Sequence, residues 1–229
     1  MFNFNLFFNP ETELENESKK ASIVKGALNY ALIPTIIAFV VGILISLAFA
    51  LLSQLAAVLA AVNPALGLIA LFGQLAFIIL PVITFVLIAI LSLLFHVFIF
   101  LGIKIAGGSQ ASFAEQYYLS SSFLPATYLL VIGLGVLYVV GLFTIGILIG
   151  FLLQLIAYAF LFALSFYTSY LFWLAFKTAH KVPNKRLIIG TAIGFFILMI
   201  VLAIIIAVIV VALIAAIGMP NLNPQFRTF

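Results

Sequence analysis

The sequence predicts an all-α, polytopic transmembrane helical bundle of five spans, and two observations predict it. Hydrophobic residues fill 67% of the 229 positions and charged residues only 6%, where an ordinary soluble domain carries roughly 25% charge. The charges are also gathered together, leaving Gly26 to Ile103, Gln116 to Phe176 and Leu187 to Phe226 with none. Apolar runs of that length far exceed the roughly 18 residues that mark a spanning helix, so lipid is the expected solvent for most of the chain.

Residues 1–25 read as a short cytoplasmic arm. Asn9 and Pro10 ahead of Glu11 and Glu13 have the chemistry of a helix start: Asn caps, Pro suits the first turn, and carboxylates favour the positive end of the dipole. Glu15 and Lys19 stand four apart in the favourable order. Phe2, Phe4, Phe7 and Phe8 are expected to rest on the membrane surface or on the bundle. The arm has no basic n-region or short apolar h-region, so the first span is expected to insert uncleaved.

The transmembrane domain, 26–218, divides by length at about 20 residues per crossing. Leu187 to Gly218 fits one span, and Gln116 to Phe176 fits two, 123–142 and 144–176, reversing between Gly141 and Gly146. The 78 residues from Gly26 to Ile103 fit two or three, with interruptions at Asn63-Pro64 and Gly73. Charge decides between them. With two crossings, Lys19, Lys20, Lys25, Lys104, Lys177, Lys181, Lys185 and Arg186 share one face and only Arg227 lies opposite. A third would divide the lysines, against the positive-inside rule. The first two spans are therefore 27–53 and 76–101, with 54–75 an outer apolar connection. The N-terminus is then cytoplasmic and a short tail, 219–229, lies outside. Thirteen of the fourteen charged side chains face inward.

On the inner loop, Ser112 and Glu115 have capping-box spacing, predicting a short interfacial helix that carries Phe113, Tyr117 and Tyr118. Gly107-Gly108 beside Lys104 is a turn, because the spacing of a phosphate loop is absent. Pro34, Pro81 and Pro125 are expected to kink or begin helices. Gly146-x-x-x-Gly150 and Gly190-x-x-x-Gly194 allow close backbone approach, within the chain rather than between copies.

Polar residues inside spans are costly in lipid unless paired. The second span carries Thr84, Ser92 and His96; the fourth carries Gln154, Tyr158, Ser165 and Ser169 on one face. They read as interhelical hydrogen-bonding pairs, with a narrow polar path as the alternative. The chain has no Asp and no Cys, so paired-aspartate chemistry, thiolate nucleophiles and thiolate metal sites are excluded. His96 and His180 with no acidic span residue make a poor metal site, and no Gly-x-Ser-x-Gly elbow is present. No catalytic, cofactor or metal residues are assigned, and the chain reads as a non-enzyme. Partner or headgroup contacts are assigned to Lys104, Glu115, Tyr117, Tyr118, Lys181, Lys185 and Arg186. Intramembrane polar contacts are assigned to Ser92, His96, Gln154 and Tyr158. The net charge of +4 lies beside apolar spans and suits anionic lipid headgroups on the cytoplasmic side rather than nucleic acid.

The pattern resembles the Yip (Ypt-interacting protein) domain family of five-span membrane proteins. The resemblance lies in Phe8-Asn9-Pro10, His96 closing the second span, and Gly107-Gly108-Ser109 followed by Phe113. It continues through Tyr117-Tyr118-Leu119-Ser120-Ser121-Ser122-Phe123-Leu124-Pro125 and covers most of the chain. It implies an integral membrane scaffold; eukaryotic members sit in endoplasmic reticulum and Golgi membranes and bind prenylated Rab-type GTPases. The short arm looks more like that of archaeal and bacterial members, implying a prokaryotic cell membrane, and trafficking is not carried over. Two functions are expected from the sequence. The first is a scaffold or accessory subunit that meets another membrane protein, or its own copies, through its inner loops. The second is a transporter, channel or lipid-translocating protein using the polar faces of spans two and four.

Overall fold

Lipid offers no hydrogen bonds, so a chain dissolved in it must satisfy its backbone internally, and helices do so segment by segment. A computed structural model describes residues 3–51, 73, 75–107, 110–144 and 147–218. Those residues form eight helices and no strand: α1 (Asn5–Phe8), α2 (Pro10–Ser18), α3 (Ile23–Leu51), α4 (Ala76–Ile105), α5 (Phe113–Ser121), α6 (Leu124–Phe143), α7 (Ile147–His180) and α8 (Asn184–Gly218). Five helical segments are long and apolar enough to cross a membrane, α5 and α6 counting as one. The expected reversal at 141–146 lies partly, and the 54–75 connection (save Gly73 and Leu75) and the 219–229 tail lie wholly, outside the described residues.

Four helices run past the uncharged stretches by about a turn, and each extension carries charge: Lys25 on α3, Lys104 on α4, Lys177 on α7, Lys185 and Arg186 on α8. Hydrogen bonding does not stop where the hydrocarbon ends, and long basic side chains lie along apolar surface with their heads in water. Pro34 and Pro81 sit inside α3 and α4. Pro125 stands in the first turn of α6. Lacking an N–H, it cannot bond the Ser121 carbonyl, which separates α5 from α6.

The described chain forms two compact units, residues 1–96 with 110–181, and 97–109 with 182–229. In the first, α5 packs against α3, α2 and α7, and α6 packs along α7. Its buried core comprises Leu6 and Leu14 of the arm, Tyr30, Tyr117, Tyr118, Leu119, Phe123, Leu171 and Leu174. The arm is thus docked. Burying Leu6 and Leu14, both at 0% exposure, contributes about 1.5–3 kcal/mol each against water. The Tyr167 hydroxyl adds a bond to the Phe7 carbonyl at 2.7 Å. Phe4 and Phe8 remain exposed. Asn9 stands at the N-cap of α2 but makes no side-chain cap bond. The ion pair in this region is Glu17 with Lys20 at 3.0 Å, three apart, rather than the expected Glu15 with Lys19.

At the far end of the first unit, Ser46 of α3 accepts a hydrogen bond from the Phe77 N–H at 3.2 Å and donates to the Gly73 carbonyl. A first-turn N–H of a helix has no intrahelical partner, so α3 supplies a cap for α4. Gly150 meets Gly141, with a Cβ on Gly141 falling 2.9 Å from the Gly150 carbonyl oxygen. In the second unit, Gly190 and Gly194 of α8 cross the α4 backbone at Gly102. A Cβ on Gly194 would lie 2.6 Å from the Phe98 carbonyl oxygen. The close approach expected of the small residues is realised within the chain at Gly150, Gly190 and Gly194, with Gly102 as the partner the sequence pattern did not mark, while Gly146 lies outside the described residues.

Candidate functional site

The short helix α5 begins where Ser112 accepts the Glu115 N–H at 3.1 Å, as the capping-box spacing predicts. Its setting differs from the expectation. Gln116 through Ser121 are all buried, so α5 is a core element of the helix packing rather than a helix laid on its outside. Tyr117, wholly buried, presents no surface to a headgroup, and Tyr118 donates its hydroxyl to Glu17 at 2.5 Å. The reason is the helix's own polarity: Gln116, Ser120 and Ser121 find hydrogen-bond partners on neighbouring helices, and that allows burial.

Those partners converge on His96. The Tyr30 hydroxyl of α3 bonds its Nε2. Gln116 places Nε2 at 3.2 Å from both the His96 Nδ1 and the His96 carbonyl oxygen, while its Oε1 lies 2.7 Å from the His180 Nε2. A carbonyl only accepts, which fixes Nε2 of Gln116 as the amide nitrogen facing His96. Nδ1 of His96 is then the acceptor and Nε2–H the donor, toward Tyr30. Tyr30 in turn donates to Ser120 at 3.4 Å, and Ser120 donates to the Gln116 carbonyl at 2.8 Å. Every step has a donor and an acceptor with a neutral imidazole. The Ser92 hydroxyl bonds Tyr117 at 2.7 Å, and Asn29 donates to Ser121 at 3.3 Å.

Ser120 Oγ lies 3.2 Å from the His96 Nε2, the spacing of a nucleophile and its base. Both are at 0% exposure, and the serine proton is directed to a backbone carbonyl, so a reactant has no approach to the hydroxyl. Among the described residues no three His, Cys, Asp or Glu side chains gather as metal ligands.

The structure joins Ser92 and His96 in this cluster and leaves Gln154 and Tyr158 out of it. Tyr158, 58% exposed, meets Tyr138 at 3.4 Å. Gln154 is half-buried beside Gly141. Ser165 and Ser169 donate to carbonyls of their own helix. The shared face expected of the fourth span is real in register, but its serine hydroxyls turn back onto α7. Tyr30, Gln116, Ser120 and His180 complete the cluster without having been singled out for it by the sequence. The available signal was an Asn-Tyr pair and a Gln within uncharged stretches.

Outside the core, Lys181 lines an open groove of about 560 Å³ with Lys19, Lys177, Glu11, Glu15 and Thr178, and Lys177 lies over the Trp173 ring, 5.2 Å from its centre. Lys181 adopts a left-handed backbone, φ 52°, as the chain leaves α7. In the second unit, Lys104 lies over Phe100 at 5.0 Å, and Arg186 donates to the Gly107 carbonyl at 3.3 Å. Lys185 is exposed and Glu115 half-buried. Glu17 is the outlying acid of the core. Burial alone would raise its pKa, but the hydrogen bonds from Tyr118 and Lys20, with the Lys20 charge, outweigh it and hold the carboxyl below the usual value of 4.5.

Compared with protein-family models, curated proteins and solved structures, the chain matches none.

Proposed function

We propose that this protein is a non-enzymatic integral membrane scaffold or accessory subunit, which presents its charged end to a partner in a membrane assembly. One observation carries the reading: the polar side chains around His96 are matched to one another. Such a cluster braces four segments of the chain, α3, α4, α5 and α7. It neither lines a path nor opens to a reactant. The translocation alternative needs the polar residues of α4 and α7 to face each other, and Gln154 and Tyr158 stand apart from Ser92 and His96. The resemblance to the five-span Yip domain family, with a short prokaryotic-type arm, supports the same reading. So does the charge distribution, which favours a cytoplasmic N-terminus, an outer C-terminus and a prokaryotic cell membrane.

Purification in mild detergent from the native membrane, with mass spectrometry of what co-purifies, tests the function. A stoichiometric protein partner is expected. A chain that is always alone, and that passes solutes or labelled lipid in vesicles, overturns the reading. Orientation is tested separately, since the chain has no cysteine. Ser18→Cys should resist an impermeant maleimide in intact cells, and Thr228→Cys should react.

A further inference from the structure

A second feature of the first unit lies apart from the His96 cluster. Between α3 and α5 is a cavity of about 290 Å³, near the roughly 300 Å³ lower bound of small-molecule pockets. Its α3 wall is a single face, Lys25, Leu28, Asn29 and Leu32, at the i, i+3, i+4, i+7 spacing of a helical stripe. Tyr118 and Ser122, one turn apart, form the opposite wall, and Asn3 and Glu17 of the docked arm close the end.

Charge lies at one end of this cavity, and the Asn29 amide between the two leucines already donates to Ser121 at 3.3 Å. Lys25 lies in the first turn of α3, and Leu32 lies about 10 Å further along the helix axis, at 1.5 Å per residue. Glu17 is already matched by Lys20 and Tyr118, whereas Lys25 makes no ion pair among the described residues. The cavity therefore holds one uncompensated ammonium at its arm end and leucine side chains deeper along a helix apolar enough to span a membrane. Leu28, 43% exposed, leaves the apolar part open on its outer side.

We infer that this cavity binds a single membrane lipid with a phosphodiester headgroup, its phosphate on the Lys25 ammonium and the start of one chain along Leu28 and Leu32. Charge complementarity selects the phosphate, and the change from Lys25 to Leu32 selects an amphiphile over a soluble phosphate. The volume admits a headgroup and the first methylenes, and the rest of the chains run out past Leu28. The inference stands independently of the scaffold reading, since a transporter with this cavity would bind the same lipid.

The test uses the whole chain, delipidated in detergent, with dioleoylphosphatidylglycerol titrated in and followed by native mass spectrometry. One lipid per chain is expected to be retained. Lys25→Gln should weaken binding roughly tenfold or more, the loss of one charge-assisted bond. Lys25→Arg should keep it, and Lys181→Gln, in the other groove, should leave it unchanged. Because Lys25 is exposed, its replacement does not disturb the core. On the unmodified protein, a lipid carrying a diazirine early in its chain should crosslink to α3 around Leu28 and Leu32. Three results would overturn the inference: no retained lipid, a Lys25→Gln protein that binds as well as the original, or displacement of the lipid by glycerophosphate alone, which would mark a site for soluble phosphates.

Discussion

Replacing Gln116 by Leu is the sharpest perturbation of the His96 cluster. Leucine fills similar space and keeps the helix, so the change isolates the amide. It deletes three bonds, to His180 Nε2, His96 Nδ1 and the His96 carbonyl. Interhelical hydrogen bonds in membrane proteins average about 0.6 kcal/mol each, which sets a lower figure near 2 kcal/mol. The upper figure comes from what is left behind. Two imidazole nitrogens in wholly or nearly wholly buried rings lose a partner, at about 1–3 kcal/mol apiece. We expect a loss between the two figures, about 2–6 kcal/mol. The assay is reversible unfolding in mixed detergent micelles, followed by the fluorescence of the single tryptophan, Trp173, which stacks on Tyr170. Gln154→Leu is the control, because a half-buried glutamine outside the cluster should shift stability by no more than about 0.5 kcal/mol. A Gln116→Leu protein as stable as the original would refute the idea that the cluster braces the helices. So would one destabilised no more than the Gln154→Leu control.

Other expectations follow from single contacts. Gly26→Ala places a Cβ 2.6 Å from the Tyr117 ring, which is wholly buried and cannot swing away, so a loss of about 1–3 kcal/mol is expected in the same unfolding assay. Gly194→Val should force α8 away from α4 and lower the thermal midpoint of the purified protein, whereas Gly133→Ala, with open space around it, should not. Docking of α2 should depend on pH through Glu17. Its carboxyl is held below 4.5 in the folded chain, so its contribution is complete above that value and is lost as pH falls through the lower, folded value. Hydrogen exchange of α2 amides, corrected for intrinsic rates, should rise on acidification. Glu17→Gln should abolish that dependence.

The spans were legible because lipid imposes a simple rule on composition: a segment either is apolar for about 20 residues or it does not cross. The start of α5 was legible for an equally local reason, since Ser112 caps the Glu115 N–H within one turn. Its burial was not. A short helix bearing Gln116, Tyr117, Ser120 and Ser121 reads as a surface helix until the partners that neutralise those groups are known, and they come from Tyr30, His96 and His180, far away in the chain. The polar face of α7 failed in the opposite direction. Period alone puts Gln154, Tyr158, Ser165 and Ser169 together, but it does not reveal that a serine can satisfy itself on its own helix's carbonyl and then face outward at no further cost. Asn9 is a smaller case: the right residue stands at the N-cap position without making the bond.

The wide sequence separation inside the His96 cluster has a consequence for how the chain is made. Its earliest member is residue 30 and its latest residue 180, so at a synthesis rate of roughly 5–20 residues per second the cluster cannot close for about 8–30 s after Tyr30 is added. During that interval His96 and Gln116 must enter an apolar environment before the fourth spanning helix exists to answer them. The nascent chain therefore passes through a stage in which its polar groups depend on water or on the insertion machinery, and a ribosome stalled short of His180 would hold it there.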